Sequence, residues 1–232
     1  MIALRIDDGV ATVTLDRGAA RNAIRMADWD RLAEAVTEAA ARAAVVLLAS
    51  AVPGSFCAGA DLTEFPAMMA DPALPPRFRK GMARATDALA EAAVPVIAVI
   101  DGGCFGAGVA LAMACDLRVA GPAATFAIPP ARLGIAYPPH DIDRLRALVG
   151  PGQAARLLLT GDRIDAAEAL RIGLVETIGD AVCARALAGR IAANSRPAIA
   201  ALRDGLRGRD GGDARFDALF AGPDLRDRLP RR

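Results

Sequence analysis

Two stretches of the sequence share one arrangement: an apolar run, then glycine and other small residues, then a helix-like segment. The first is Ser55-Phe56-Cys57-Ala58-Gly59-Ala60-Asp61-Leu62, and the second is Asp101-Gly102-Gly103-Cys104-Phe105-Gly106-Ala107-Gly108. Small residues at such a junction let backbone N–H groups point into a cleft at a helix start, where a negative oxygen is favoured. Taken alone, either stretch reads first as a tight turn with a capping aspartate. Two such turns facing each other would form an oxyanion hole, in which paired N–H groups stabilise a carbonyl oxygen as an enolate or tetrahedral species. A dinucleotide-binding turn fits poorly. The glycines of the second stretch are not spaced as GxGxxG, and no acidic residue stands about 20 positions on.

Proton-handling side chains are scarce. His140 and Tyr137 are the only histidine and the only tyrosine, and they fall together with Asp141 and Asp143 at an expected helix start. Aspartates there cap the helix and favour its dipole. The same group is also the only constellation able to supply a proton near neutral pH. Asp61 and Glu64 flank the first turn, where Asp61 is expected to fix the loop by accepting from neighbouring N–H groups. The cysteines Cys57, Cys104, Cys115 and Cys183 show no CxxC spacing, so neither a zinc site nor a disulfide framework is indicated and the thiols are expected to be reduced and buried.

The elements that must position these groups follow from periodicity. Residues 2 to 6 and 10 to 15 read as strands joined at Asp7-Asp8-Gly9. Trp29, Leu32, Ala33, Val36 and Ala40 repeat at helical spacing between Met26 and about Ala44, and Val45 to Ser50 follows as a buried strand. Residues 51 to 61 read as a loop, and 62 to 92 as broken helical patterns that Pro66, Pro72, Pro75 and Pro76 leave irregular or mobile. Val94 to Asp101 is a buried strand, Gly106 to Cys115 a helix, and Leu117 to Ala120 and Ala124 to Ile128 two more strands. Beyond Pro139 helices are predicted at about 140 to 149, 151 to 159, 165 to 172, 181 to 193, 197 to 207 and 213 to 220, with one strand at Leu174 to Ile178. This gives an α/β chain expected to form one domain over 1–232. A β-β-α core spans 1–140, and a helical region over 141–232 is suited to covering a sheet edge or to assembly.

Composition narrows the partners. The 28 Lys+Arg residues nearly balance 27 Asp+Glu, so no overall field holds nucleic acid or a membrane surface. All the cations except Lys80 are arginine, which reads as composition bias rather than a phosphate-binding design. Val45 to Leu48 and Val94 to Ile100 fall far short of the roughly 20 apolar residues of a membrane helix. No export signal is seen at MIALRIDDGVATVTLDR, and a cytoplasmic location is expected.

The two turns and their separation resemble the signature of the crotonase (enoyl-CoA hydratase/isomerase) superfamily. Its members carry sequences of the types AFxAGADLxE and NGxxxGGGxELAxxCD, where this chain reads SFCAGADLTE and DGGCFGAGVALAMACD. The likeness extends through LDRGAARNAI, TFAIPPARLGI and LLLTGDRIDAAEALRIGLV. It implies a crotonase-like β-β-α spiral core with a helical C-terminal region, and an acyl-CoA thioester ligand in fatty acid metabolism. Coenzyme A would enter as part of the substrate, with no separate cofactor, metal, nucleic acid or membrane partner. The resemblance places the oxyanion hole at the N–H groups of Ala60 and Ala107. It lines the acyl-CoA channel with Arg21, Ala23, Ala58, Asp61 and Leu62. Arg21 reads equally as a contact to the CoA phosphates or as a solvated surface residue. Family assembly as trimers or pairs of trimers is expected, although the carboxyl end, FDALFAGPDLRDRLPRR, begins like the family's FxxxFxSxDxREG segment and then stops short.

Departures from the pattern bear on the reaction. Ala110 and Pro130 stand where hydratases of the family place their two glutamates, and neither can activate water or protonate a carbon. The loop Leu133-Gly134-Ile135-Ala136-Tyr137 resembles the LGxxY segment of methylmalonyl-CoA decarboxylase-like members, although those carry histidine where this chain has Ala60. The resulting expectation is a lyase or isomerase that stabilises a thioester enolate, with Tyr137, His140 and Asp141 as candidate catalytic side chains. The alternatives are a degenerate member that binds acyl-CoA without turnover, and a structural partner subunit.

Overall fold

The turn at Asp7-Asp8-Gly9 forms the predicted hairpin. Strands β1 (Ile2–Asp7) and β2 (Val10–Leu15) pair antiparallel, with Asp8 and Gly9 at positive φ. In the computed structural model, which describes residues 2–229, α1 (Asp28–Arg42), β3 (Val45–Ser50) and β4 (Ser55–Cys57) follow. Next come α2 (Phe65–Ala70), α3 (Leu74–Ala90), β5 (Val96–Ile100), β6 (Gly103–Phe105) and α4 (Ala107–Ala114). After β7 (Leu117–Ala120) and β8 (Thr125–Ala127) the chain enters α5 (Pro139–Thr160), β9 (Ile164–Asp165), α6 (Ala166–Arg171) and β10 (Thr177–Ile178). Four helices complete the described chain: α7 (Ala181–Ala192), α8 (Arg196–Leu206), α9 (Gly212–Ala221) and α10 (Pro223–Arg228).

From β3 to β8 consecutive strands alternate between two sheets. The larger has the order β1-β2-β3-β5-β7-β10 and the smaller β4-β6-β8-β9. Each cycle therefore adds one parallel strand to each sheet, and the chain coils as a spiral. Corners of successive coils lie against one another. The N–H of Gly103 donates to the carbonyl of Gly54 (3.0 Å), and the N–H of Thr125 donates to that of Gly102 (3.1 Å). Gly102 has φ +72°, and a Cβ built there would fall 2.0 Å from the Gly54 carbonyl group. This contact closes only around a residue without a side chain.

Burial explains the apolar runs. Val46 and Leu48 of β3 face the main core with Trp29, Phe56 and Phe126, whereas Val45 and Leu47 face a second cluster capped by Ala184 and Ala188 of α7. A parallel strand covered on both faces reads as a continuous run rather than an alternation.

Several expectations require correction. Residues 62 to 92 are regular: a 3-10 turn at Leu62–Glu64, then α2 and the 17-residue α3. Pro66, Pro75 and Pro76 sit in first turns, where the missing N–H has no helical acceptor to lose. The loop predicted for 51 to 61 contains β4, and the glycines before α4 contain β6. The helices predicted on either side of residue 150 are joined in α5, which is interrupted at Gly150 (φ 76°, ψ 164°) just before Pro151. Only Thr177–Ile178 of the predicted 174-to-178 strand is extended. All the cysteines are free, and Cys183 is half-buried rather than buried. From 141 onward the chain is mainly helical, and residues 230–232, like Met1, lie outside the described residues. No described helix is long and apolar enough to cross a membrane.

Candidate active site

Strands β4 and β6 are parallel neighbours, so the turns that leave them lie side by side although far apart in sequence. A Cβ added to Gly59, whose φ is +98°, would fall 2.8 Å from the Phe105 carbonyl oxygen and 3.3 Å from the Ala107 nitrogen. A Cβ on Gly108 would fall 2.6 Å from the Cys57 carbonyl oxygen. Glycine at both positions is what allows the two turns to touch.

The direction of the amides follows from their neighbours. Ile24 donates to the Gly59 carbonyl (2.8 Å) and accepts from the Asp61 N–H (2.9 Å). The C=O and N–H of one trans peptide point in opposite directions, so with the Gly59 carbonyl on Ile24 the N–H of Ala60 is turned away from it. Ala107 is the first residue of α4, where an N–H has no intrahelical acceptor. Both alanines line one cavity of about 360 Å³. Its remaining walls come from Phe65 of α2, from Phe78, Arg79 and Met82 of α3, and from the 129-to-139 loop, including Pro130 and Tyr137. Among the described residues no aspartate, glutamate or histidine lines it.

The first turn is clamped by side chains. The buried Asp61 carboxylate accepts from the Thr63 hydroxyl (2.6 Å), the Thr63 N–H (3.1 Å) and the Arg17 guanidinium (2.6 Å). The Thr63 hydroxyl, and after it Arg17, hold this carboxyl below the usual range against the opposing effect of burial. Asp61 thus caps the turn and does not line the cavity. Asn22, at φ 58°, is buried and accepts from the Arg17 N–H (2.7 Å) while donating to Ser50 Oγ (2.7 Å) and the Phe56 carbonyl (3.0 Å). Sequence reasoning missed Arg17 and Asn22 as the clamp. The available signal was an asparagine, a residue that tolerates positive φ, inside a loop.

Other sequence candidates separate. Ala58 and Leu62 line the cavity, whereas Arg21 and Ala23 do not. The Arg21 carbonyl accepts from the Ala58 N–H and the Ser55 hydroxyl (both 3.0 Å), so its backbone supports the turn. Tyr137 lines the cavity. It is buried, and its hydroxyl donates to the Gly106 carbonyl (3.0 Å). Burial, with Asp141 and Cys104 adding to it, pushes the phenol well above its ordinary value. His140 is exposed, with Nε2 3.7 Å from the Asp87 carboxylate, outside the cavity wall. Asp141 is buried and pairs with Arg144 (3.1 Å), and burial raises its carboxyl despite that arginine. Of the expected constellation, His140 stands at the surface, whereas Asp141 is buried close enough to act on the Tyr137 phenol but is paired with Arg144 and stays outside the cavity wall. Cys57 beside the first turn stays a neutral thiol, its pKa pushed up to about 12 by burial.

A model of the enoyl-CoA hydratase/isomerase family matches residues 5–210. The chain belongs to this family. Members of the enoyl-CoA hydratase/isomerase family similar to it include the probable enoyl-CoA hydratase echA6 of Mycobacterium tuberculosis, 36% identical over 192 residues that span 83% of this chain and 76% of that protein. The crotonyl-CoA hydratase of Syntrophomonas wolfei is 38% identical over 180 residues, covering 76% of this chain and 68% of its own. A solved structure from Hyphomonas neptunium, described as a member of the same family, has a TM-score of 0.92 at 36% identity and covers 97% of this chain and 91% of its own. The α/β spiral with a helical C-terminal region is the crotonase fold.

Proposed function

We propose that this family member binds an acyl-CoA thioester with its carbonyl oxygen between the N–H groups of Ala60 and Ala107, and forms the enolate by decarboxylation of a malonyl-type acyl group. One observation carries the reading: the cavity wall offers amide donors without any carboxylate or imidazole. Hydration needs a positioned acid and base, and isomerisation needs a base to take an α-proton. Decarboxylation needs neither. The bond from Cα to the carboxylate breaks, its electron pair moves into the thioester as an enolate, carbon dioxide leaves, and Cα then takes a proton from water. The developing negative charge falls on the oxygen held by the amides, against a wall that is otherwise largely apolar. Coenzyme A takes part only as a portion of the substrate. The two relatives above are named hydratases, and in this reading Ala110 and Pro130, standing where hydratases carry glutamates, separate this chain from that chemistry.

Tyr137 takes a positioning role in this reading. Its hydroxyl holds the carbonyl of the Gly106–Ala107 peptide, whose N–H is the proposed donor. Donation to that oxygen fixes the peptide plane and polarises the N–H, since linked hydrogen bonds strengthen one another. With its phenol pushed upward, Tyr137 stays protonated, and turnover is expected to show no titration from it between pH 6 and 9. In mass-spectrometric assays of malonyl-type, enoyl- and 3-hydroxyacyl-CoA esters, the expected result is loss of carbon dioxide from the malonyl-type esters. Tyr137→Phe is expected to lower kcat about tenfold, the scale of one hydrogen bond, with KM nearly unchanged. Gain of water by enoyl-CoA instead would restore the hydratase. Saturable binding of every ester with no mass change would favour a non-catalytic binder, a second reading that the same bare cavity wall supports.

Assembly is read from the C-terminal helices. Leu202 and Leu206 of α8 and Phe216 and Phe220 of α9 expose 65%, 88%, 63% and 65% of their surfaces, more apolar area than a free helical face carries comfortably. Light scattering is expected to give a trimer or a pair of trimers of the 23.9 kDa chain. A single-chain mass would remove the assembly reading and leave the chemistry standing.

A further inference from the structure

The cavity wall carries one charged side chain among the described residues. Arg79, on α3, lines the same space as Ala60 and Ala107, between Phe78 and the Met82 turn. No carboxylate lies within ion-pair distance of it, and no side-chain hydrogen bond engages it. Arg84 of the same helix is held by Asp30 (2.6 Å), whereas Arg77 and Lys80 are, like Arg79, without a carboxylate partner among the described residues, so what sets Arg79 apart is its place on this cavity wall. The only other polar side-chain group on the wall, the Tyr137 hydroxyl, is already committed to the Gly106 carbonyl. Arg79 is exposed at the edge of the cavity, and an apolar acyl chain would offer its guanidinium no partner there. A carboxylate would reverse that, because the fork of guanidinium donors matches its two oxygens.

We propose that Arg79 reads a free carboxylate on the acyl group, so that the preferred ligands are CoA thioesters of dicarboxylic acids. The proposal rests on the acyl-CoA reading above and narrows it to a substrate class.

Binding rather than turnover tests it, using esters that keep their carboxylate. Calorimetric titration compares succinyl-CoA and glutaryl-CoA with butyryl-CoA and free coenzyme A, on the wild type, Arg79→Gln and Arg79→Lys. The expected result is about tenfold tighter binding of at least one dicarboxylic ester by the wild type. Arg79→Gln loses that preference and Arg79→Lys keeps part of it, while butyryl-CoA and coenzyme A are little changed. Equal weakening of all four ligands in Arg79→Gln would place Arg79 against the phosphates of coenzyme A and overturn the proposal. Binding of all four without preference in the wild type would overturn it too, leaving the acyl-CoA reading intact. No binding of any ester would defeat both.

Discussion

Ala107→Pro is expected to cut decarboxylation by on the order of 100- to 1000-fold, the loss seen when one donor leaves an oxyanion hole. Proline removes the N–H and changes little else at this position. Ala107 is the first residue of α4, where the proline ring suits the helix and no intrahelical hydrogen bond is lost. The preceding residue is Gly106, which has no Cβ to meet the ring. Ala107→Ser, which keeps the amide, serves as the control and is expected to retain most of the activity. The measurement is kcat on the best malonyl-type ester, together with thermal melting of all three proteins. Wild-type turnover in a folded Ala107→Pro protein would exclude that amide from catalysis. Reduced turnover in Ala107→Ser as well would shift the weight from backbone to side-chain packing.

The largest expected effect on stability comes from Gly102→Ala. A methyl group there meets the Gly54 carbonyl group at 2.0 Å, and both contacting atoms are backbone. A flexible side chain could swing away, but here two coils of the spiral must separate. Overpacking, with strain at φ +72° added to it, is expected to cost about 3 kcal/mol or more. For a chain of this size that lowers Tm by about 10 °C. Gly152→Ala gives the comparison, since nothing lies within 4 Å of a Cβ there. Equal melting temperatures for the two variants would show that the two corners can part without cost.

The residues legible in the sequence were those whose signal is local. The hairpin at Asp7-Asp8-Gly9 and the runs of β3 and β5 need only a turn residue or an apolar stretch to be read. The two glycine turns were legible for the same reason, and the spiral topology supplied what sequence could not, their placement side by side. Strands β4 and β6 are three residues each, too short for any periodicity to emerge. Pro72, Pro75 and Pro76 suggested an irregular or mobile stretch because a proline's position relative to the helix start decides its effect, and that start is set where α3 packs on α1. His140 and Asp141 illustrate the limit most clearly. Nearness in sequence put them beside Tyr137, yet the path of α5 exposes one and buries the other against Arg144. Arg79 passed unnoticed because a lone arginine in an arginine-rich chain carries no pattern.

The atoms proposed to hold the substrate oxygen belong to the main chain, so any residue except proline can present them. Mutations at Ala60 or Ala107 are therefore almost silent in the very property that defines the site. Changes at Gly59 or Gly108, where a side chain would strike the facing turn, would disturb it most. The inheritance of the scaffold and the inheritance of a particular reaction are thereby uncoupled. On this reading, a lineage without the two glutamates would still pass on the proposed amide cradle, and a new reaction would need only a new side chain in the wall opposite it.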